Sequence, residues 1–533
     1  MKNLHFVFLI LLFSNSSVLA EDKLADLVAA GQKEQAIALI KDNTNVNLTH
    51  SDGTSALMYA AYQQDAELVN ALLKAGAEAN QSNSYGASAI SEAAIGSANE
   101  ILALLLEYGA DPNWQNPEGE TPLMVTARAG NVEGSRLLLE HGADINATER
   151  WGGQTALMWA AAQSQPEVLQ LLVDHGAELD LHSTHRVWDR RIMNEPRPKD
   201  LNKGGFTALQ FAARQGCAAC ISVLANAGAD LNAHDPDRVT ALNLALMNLH
   251  FDTAAALIEA GADVNKWDHY GRSPLFNALD LNTLPIGGRP DIPSTDKLTG
   301  YDIAVMLLER GANPNRQLTH LPPYRNAIYD RGSDKVLEAG ATPLMRAAKG
   351  GDIPAVNLLL EHGALADLPN EEGQTPLMVV AGIGHTTSPT RGKFRTQEQS
   401  IELIRILLDA GADINAVSGD PAIRPGQQLV NHDRGKHMHA ANEGEIVVWG
   451  QTALHGAAKQ GWTEVARFLI DNGARQQVID DSGRTPFDYA MGNYPPAYND
   501  SAPLPFFETA QFIQESCQAT DNCVMNEPLQ SSN

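Results

Sequence analysis

Positive charge is scarce in this chain: its 533 residues hold 38 Lys and Arg against 64 Asp and Glu, a formal net charge of -26. An excess of that size repels nucleic-acid phosphates and anionic membrane surfaces, so nucleic acid is not expected as a partner. Long apolar runs are scarce as well. The one near the N-terminus, His5 to Phe13, falls short of the ~20 residues that a spanning helix needs. There is no Gly-rich phosphate loop, no serine-nucleophile elbow and no zinc-protease helix. The carboxylates form no evident acid/base pair, and no cofactor is implied. With 44% hydrophobic and 19% charged residues the composition is still that of a folded chain. Such a length would ordinarily mean three or four compact domains, unless the chain repeats.

Residues 1–20 read as a secretory signal peptide. Lys2 supplies the positive start, an apolar core follows, and Ser17-Val18-Leu19-Ala20 precedes Glu21. An N-terminal anchor is the other reading, which the short core disfavours. The mature chain, without Lys2, is expected at net charge -27, exported to the periplasm or outside the cell, with no membrane insertion after cleavage.

Beyond that point the chain repeats. Gly76-Ala77-Glu78, Gly109-Ala110-Asp111, Gly142-Ala143-Asp144 and Gly176-Ala177-Glu178 are spaced 33, 33 and 34 residues apart. The phrase returns at Gly228, Gly261, Gly311 and Gly411, and more weakly at Gly363 and Gly473. A second phrase keeps the same rhythm, as in Thr121-Pro122-Leu123, Thr155-Ala156-Leu157, Thr207-Ala208-Leu209 and Thr342-Pro343-Leu344. Thr caps a helix start and Pro fits its first turn. Ala pairs such as Ala160-Ala161 let neighbouring helices approach. A Leu-rich second helix ends at the Gly, which adopts the left-handed conformation, and Asp and Asn suit the turn that follows.

A period of 33 with Thr-Pro-Leu, two helices and a turn resembles the ankyrin repeat, over about residues 24–491. The resemblance implies an all-α solenoid of stacked helix-turn-helix units with β-turn fingers, about eleven to twelve repeats within 21–491, followed by a tail at 492–533. It also implies a binding scaffold, not an enzyme, with another protein as partner. One departure is consistent. The His that follows Thr-Pro-Leu in the family, where it helps tie neighbouring repeats, survives only as His455. Met58, Met124, Met158, Met345 and Met378 stand in its place, so Met packing is expected to substitute.

Insertions at 183–204, 282–299, 317–339, 385–396 and 417–449 stretch the Gly-to-Gly spacing to between 48 and 62 residues. Those at 183–204, 317–339 and 417–449 follow the Ala-Asp-x-Asn phrase and so enlarge fingers; the other two fall between paired helices. Fingers and first helices line the concave face that ankyrin proteins commonly use, so enlarged fingers suggest an elaborated recognition surface. Plain tolerance of long surface loops is the alternative. Trp188, Arg190 and Arg191 lie in a locally basic stretch, suited to an acidic partner or to the protein's own acidic surface. With Tyr324 and Trp449 they are the candidate partner-binding residues.

Cys217-Ala218-Ala219-Cys220 falls at the start of a second helix, and Cys517 and Cys523 lie in the tail. In an oxidising compartment each pair is expected to form a local disulfide. A redox-active C-x-x-C is the alternative, because a helix start lowers a thiol pKa. A zinc site drawing on both pairs would need the tail to fold back across half the array. His432, Asp433, His437 and His439, and separately His182 and His185, have ligand-capable side chains. Neither group has a matching second half, and no metal is expected. The competing functional reading is an exported redox or metal-dependent enzyme using Cys217/Cys220 or the His432–His439 loop. A bare structural spacer is the third.

Overall fold

The computed structural model describes residues 23–186, 204–282, 296–319, 335–337, 339–384, 396–419, 450–494 and 503–518. They contain twenty-four α-helices, one short 3-10 turn and no strand. The helices fall into two compact units, Met1–Glu178 and Leu179–Asn533.

In the first unit the helices Lys23–Ala29, Ala56–Tyr62, Ala89–Ile95, Pro122–Ala129 and Ala156–Ala162 pack successively on one another. Their partners Lys33–Lys41, Ala66–Lys74, Asn99–Glu107, Val132–Glu140 and Pro166–Asp174 form a second row. The second unit repeats the plan, with Ala208–Gln215, Ala241–Met247, Pro274–Asn282, Pro343–Gly350, Pro376–Val380, Ala453–Gln460 and Pro486–Ala490 as its row of first helices. A last helix, Phe507–Gln518, packs against Thr463–Asp471 and Pro486–Ala490 and so closes this stack. Its Ala510 and Ile513 are buried with Tyr489 and Ala490, which would otherwise face water.

Most first helices start on a side-chain cap. The Thr121, Thr155, Thr342 and Thr375 hydroxyls accept from the backbone N–H groups of Met124, Met158, Met345 and Met378. Such a cap contributes about 1 kcal/mol per helix. Helices of seven to nine residues are marginal alone, so their stability comes from the face they bury. Ala60, Ala61, Ala93, Ala94, Ala160 and Ala161 are fully buried between first helices, and Leu72, Leu102, Leu105 and Leu138 fill the space beneath them.

Met58, Met124, Met158, Met345 and Met378 are buried at the position where His455 sits. His455 accepts the Thr452 backbone N–H at Nδ1 (3.0 Å) and shares a hydrogen bond with the Arg484 carbonyl through Nε2 (3.2 Å). Gln210 makes the same forward tie, donating to the Val239 carbonyl (2.8 Å), and Asn243 donates to that of Lys266 (3.0 Å). Repeats with Met have packing in place of that bond.

A second ladder runs through the Asn of each Ala-acid-x-Asn phrase. Asn80 donates to the Gly109 carbonyl (2.9 Å) while its side-chain oxygen accepts the Asp111 N–H (2.7 Å). Asn47, Asn113, Asn265, Asn315 and Asn415 repeat both bonds to the next repeat. One amide therefore satisfies a carbonyl orphaned at a helix end and an N–H of the following turn.

Candidate functional site

The fingers are built by one closure. In a short finger Asn83 N–H donates to the Ala87 carbonyl (3.0 Å), and Gly86 N–H donates back to the Asn83 carbonyl (3.0 Å). Leu318 bonds the Ala341 carbonyl (3.0 Å) and accepts from Gly340 (2.8 Å), and Ser418 does the same with Gln451 and Gly450 (2.8 and 2.9 Å). Ser183 N–H donates to the Phe206 carbonyl (2.9 Å), while its hydroxyl accepts the Phe206 N–H (2.8 Å). The extra chain thus leaves and re-enters through the bonds that close a short finger. Neighbouring fingers are also tied, Ser84 N–H to the Asp52 carbonyl and Arg150 N–H to that of Glu118, each at 2.8 Å. The helices on either side of each insertion thus keep the register of the short-finger repeats.

Trp188, Arg190, Arg191, Tyr324 and Trp449 lie outside the described residues, as do His432, Asp433, His437, His439 and Cys523. What the structure does place is the side of the array that the fingers overhang. In the first unit five large apolar side chains are exposed among the described residues: Tyr62, Tyr85, Ile95, Tyr108 and Trp151. Four belong to this side. Tyr62 and Ile95 are the last residues of successive first helices, and Tyr85 and Trp151 stand in the finger turns. One turn back on the first helices are Tyr59, Glu92, Val125 and Trp159. Burial raises the Glu92 carboxyl above its usual range. Arg128 lies over the Trp159 ring (5.2 Å) and is held there by Glu120 (2.6 Å). This surface is aromatic, partly dry and fixed by its own polar contacts, the combination that gives large contact area at little ordering entropy.

Cys217 is the N-cap of helix Ala218–Asn226 and is joined to Cys220, with S–S 2.03 Å. Both are buried, and Cys220 N–H donates to the Cys217 sulfur (3.1 Å). Cys517 is also disulfide-bonded. His182 spends Nδ1 on the Gly205 carbonyl (2.8 Å), and His185 pairs with Gly204 in a β-bridge. Among the described residues no group of three or more His, Cys, Asp and Glu is arranged to hold a metal ion. No described helix is long and apolar enough to cross a membrane.

The family model for ankyrin repeats, in three copies, matches residues 24–116, 96–183, 190–268, 211–287, 324–418 and 426–498, well over half of the chain. The chain belongs to the ankyrin-repeat family. The putative ankyrin repeat protein YahD of Escherichia coli (strain K12) is 30% identical over 179 residues, covering 31% of this chain and 85% of its own length. The B-cell lymphoma 3 protein homolog of Mus musculus is 28% identical over 187 residues, 34% of each chain. The human transient receptor potential cation channel subfamily A member 1 is 26% identical over 273 residues, half of this chain and a fifth of its own. Among solved structures, the human ASB11 ankyrin repeat domain is similar at 24% identity and a TM-score of 0.37, over 45% of this chain and 98% of that one. Ankyrin repeats are general protein–protein interaction modules, and the family is typically a non-enzymatic scaffold.

Proposed function

We propose that this chain is an exported scaffold that binds a partner protein along the side formed by its fingers and first helices. In this reading the enlarged fingers at 183–204, 317–339 and 417–449 are further recognition elements. The observation that carries the reading is the exposed set Tyr62, Tyr85, Ile95 and Trp151, which the packing of the array leaves in water. Aromatic side chains on a rigid support are the usual anchors of protein interfaces, whereas a plain spacer has no need to expose them. The leader-like residues 1–20 support export.

The test is affinity capture from envelope and culture fractions of the source cells. It compares residues 21–533 with a variant carrying Tyr62→Ser, Tyr85→Ser, Ile95→Ser and Trp151→Ser. A protein retained by the first and lost by the second, at equal unfolding temperature, supports the proposal. Equal retention places the binding surface elsewhere.

A further inference from the structure

Three successive fingers of the second unit bring two arginines onto one tryptophan. Trp267 belongs to the middle finger; the Arg238 guanidinium comes from the finger before it and lies 5.5 Å from the ring centroid. The Arg316 guanidinium comes from the finger after it and lies 3.7 Å from the same centroid. Like charges so placed repel, and the Arg316 guanidinium is held less basic than usual, by burial first and by Arg238 second. In a chain of net charge -26 a carboxylate would be the expected neighbour, yet among the described residues no ion pair neutralises either arginine. Arg272, in the middle finger, shows the ordinary arrangement. Its Nε donates to Asp268 (2.6 Å) while its guanidinium lies over Tyr270 (5.3 Å). Nearby carboxylates are otherwise engaged: Asp235 accepts the backbone N–H groups of Asp237 and Val239, and Asp263 accepts that of Asn265.

The backbone sets Arg238 apart among the finger turns. In the other fingers this turn position is Gly53, Gly86, Gly119, Gly271 or Gly340, each at positive φ. Here the residue is Arg238, at φ 62°. A side chain in the left-handed region carries backbone strain, which the array also accepts at Gln64, Ser97, Ser164 and Leu249, where other repeats have Gly130, Gly216 or Gly351. The Arg316 Nε is buried without a hydrogen-bond partner among the described residues.

We infer that Arg238, Trp267 and Arg316 form an anion site that takes the carboxylate side chains of an acidic, extended segment of a partner protein. Stacking on the indole occupies the guanidinium faces and leaves their terminal N–H edges to fork onto a carboxylate. It also fixes two long side chains before the ligand arrives, which lowers the entropy lost on binding. Exposed Lys266, His234 and His269 continue the donor surface along the same fingers. A nucleic acid or other phosphate polymer fits less well, because the net negative charge of the whole chain opposes it over many charges at once. The assignment rests on the fingers being the partner-binding side, and it adds the chemistry of what they hold.

The experiment measures fluorescence anisotropy of a dye-labelled twelve-residue Glu/Asp peptide with the full mature chain. The matching Gln/Asn peptide and a labelled twelve-nucleotide single-stranded DNA are the comparison probes. Wild type should bind the acidic peptide and not the neutral one. Arg238→Gly and Arg316→Gln should each weaken it about tenfold. Arg238→Gly should at the same time leave the unfolding temperature unchanged or raised, since it restores the finger glycine; a purely structural arginine would lower it. The serine variant of Tyr62, Tyr85, Ile95 and Trp151 should bind the acidic peptide as wild type does, so failure of that surface and failure of this one are separable. Equal binding by wild type and both arginine variants, no binding of the acidic peptide by wild type, or tighter binding of the DNA would each overturn the assignment.

Discussion

Replacing His455 by Met should remove an acid sensitivity that one imidazole builds into the last full repeat. His455 is buried, its Nδ1 accepts the Thr452 N–H, and its Nε2–H donates to the Arg484 carbonyl. Both nitrogens are therefore used by the neutral ring, and a second proton would turn Nδ1 against a donor. Burial is the main reason that the pKa is pushed down to about 4; the Arg484 carbonyl, Asp480 and Asp488 pull the other way without prevailing. Unfolded, the ring titrates near 6.5. The folded value is the lower one, so the contribution is complete above pH 6.5 and is lost as pH falls toward 4. A gap of that width corresponds to about 3 kcal/mol. Met at 455 would match Met58, Met124, Met158, Met345 and Met378, which are buried in the same place. His455→Met should cost about 1 kcal/mol at pH 7 for the lost tie to Arg484. Its stability should then fall less than that of wild type between pH 7 and pH 4, by about 3 kcal/mol. Urea denaturation followed by circular dichroism at the two pH values measures both, and other titrating groups cancel between the proteins. An unchanged pH dependence in the Met variant would refute the reasoning.

Asn80→Ala removes two inter-repeat hydrogen bonds at an exposed site and should destabilise the first unit by about 1–2 kcal/mol in the same assay. Arg346 is buried against Asp280, with Nε to carboxylate at 2.6 Å and a terminal nitrogen to the Asp280 carbonyl at 2.8 Å. Asp280→Ala strands that cation and should cost ~3–5 kcal/mol, whereas Arg346→Met should cost far less; equal losses would contradict this. Gly271→Ala should destabilise by about 2 kcal/mol or more, because the residue sits at φ 82° and the new carbon would come 2.5 Å from the Thr319 nitrogen. N-terminal sequencing of the protein recovered from the source should start at Glu21; a start at Met1 would contradict export by a cleaved leader.

What the sequence makes legible here is whatever repeats locally. Thr121 and Thr342 announce caps because a hydroxyl and an N–H three residues on meet within one turn. The offset of each insertion from its Ala-acid-x-Asn phrase marks where the chain lengthens, because the period on either side is intact. The Asn ladder is recognisable only as a turn signal in the sequence, since the Gly109 carbonyl that Asn80 reaches belongs to the next repeat. Gln210 and Asn243 are equally mute: neither looks like His455, yet all three tie forward. Arg238 escapes notice for a sharper reason. Only alignment with Gly53 and Gly271 in a common finger geometry reveals an arginine where glycine belongs, and only space brings it to Trp267 and Arg316. The sequence directed attention to Trp188, Arg190 and Arg191 because basic residues crowd there, and local crowding is all that composition can register.

The most direct test of the account is whether a native partner is held on the finger side. Cross-linking of the mature chain to its captured partner, followed by mass spectrometry, should return links from Lys266 and from other residues on the finger side. The Lys266 links should disappear in the Arg238→Gly, Arg316→Gln double variant, while residues of the second helices should give none. Links confined to the second helices, unchanged by the substitutions, would contradict the claim that this array works through its fingers.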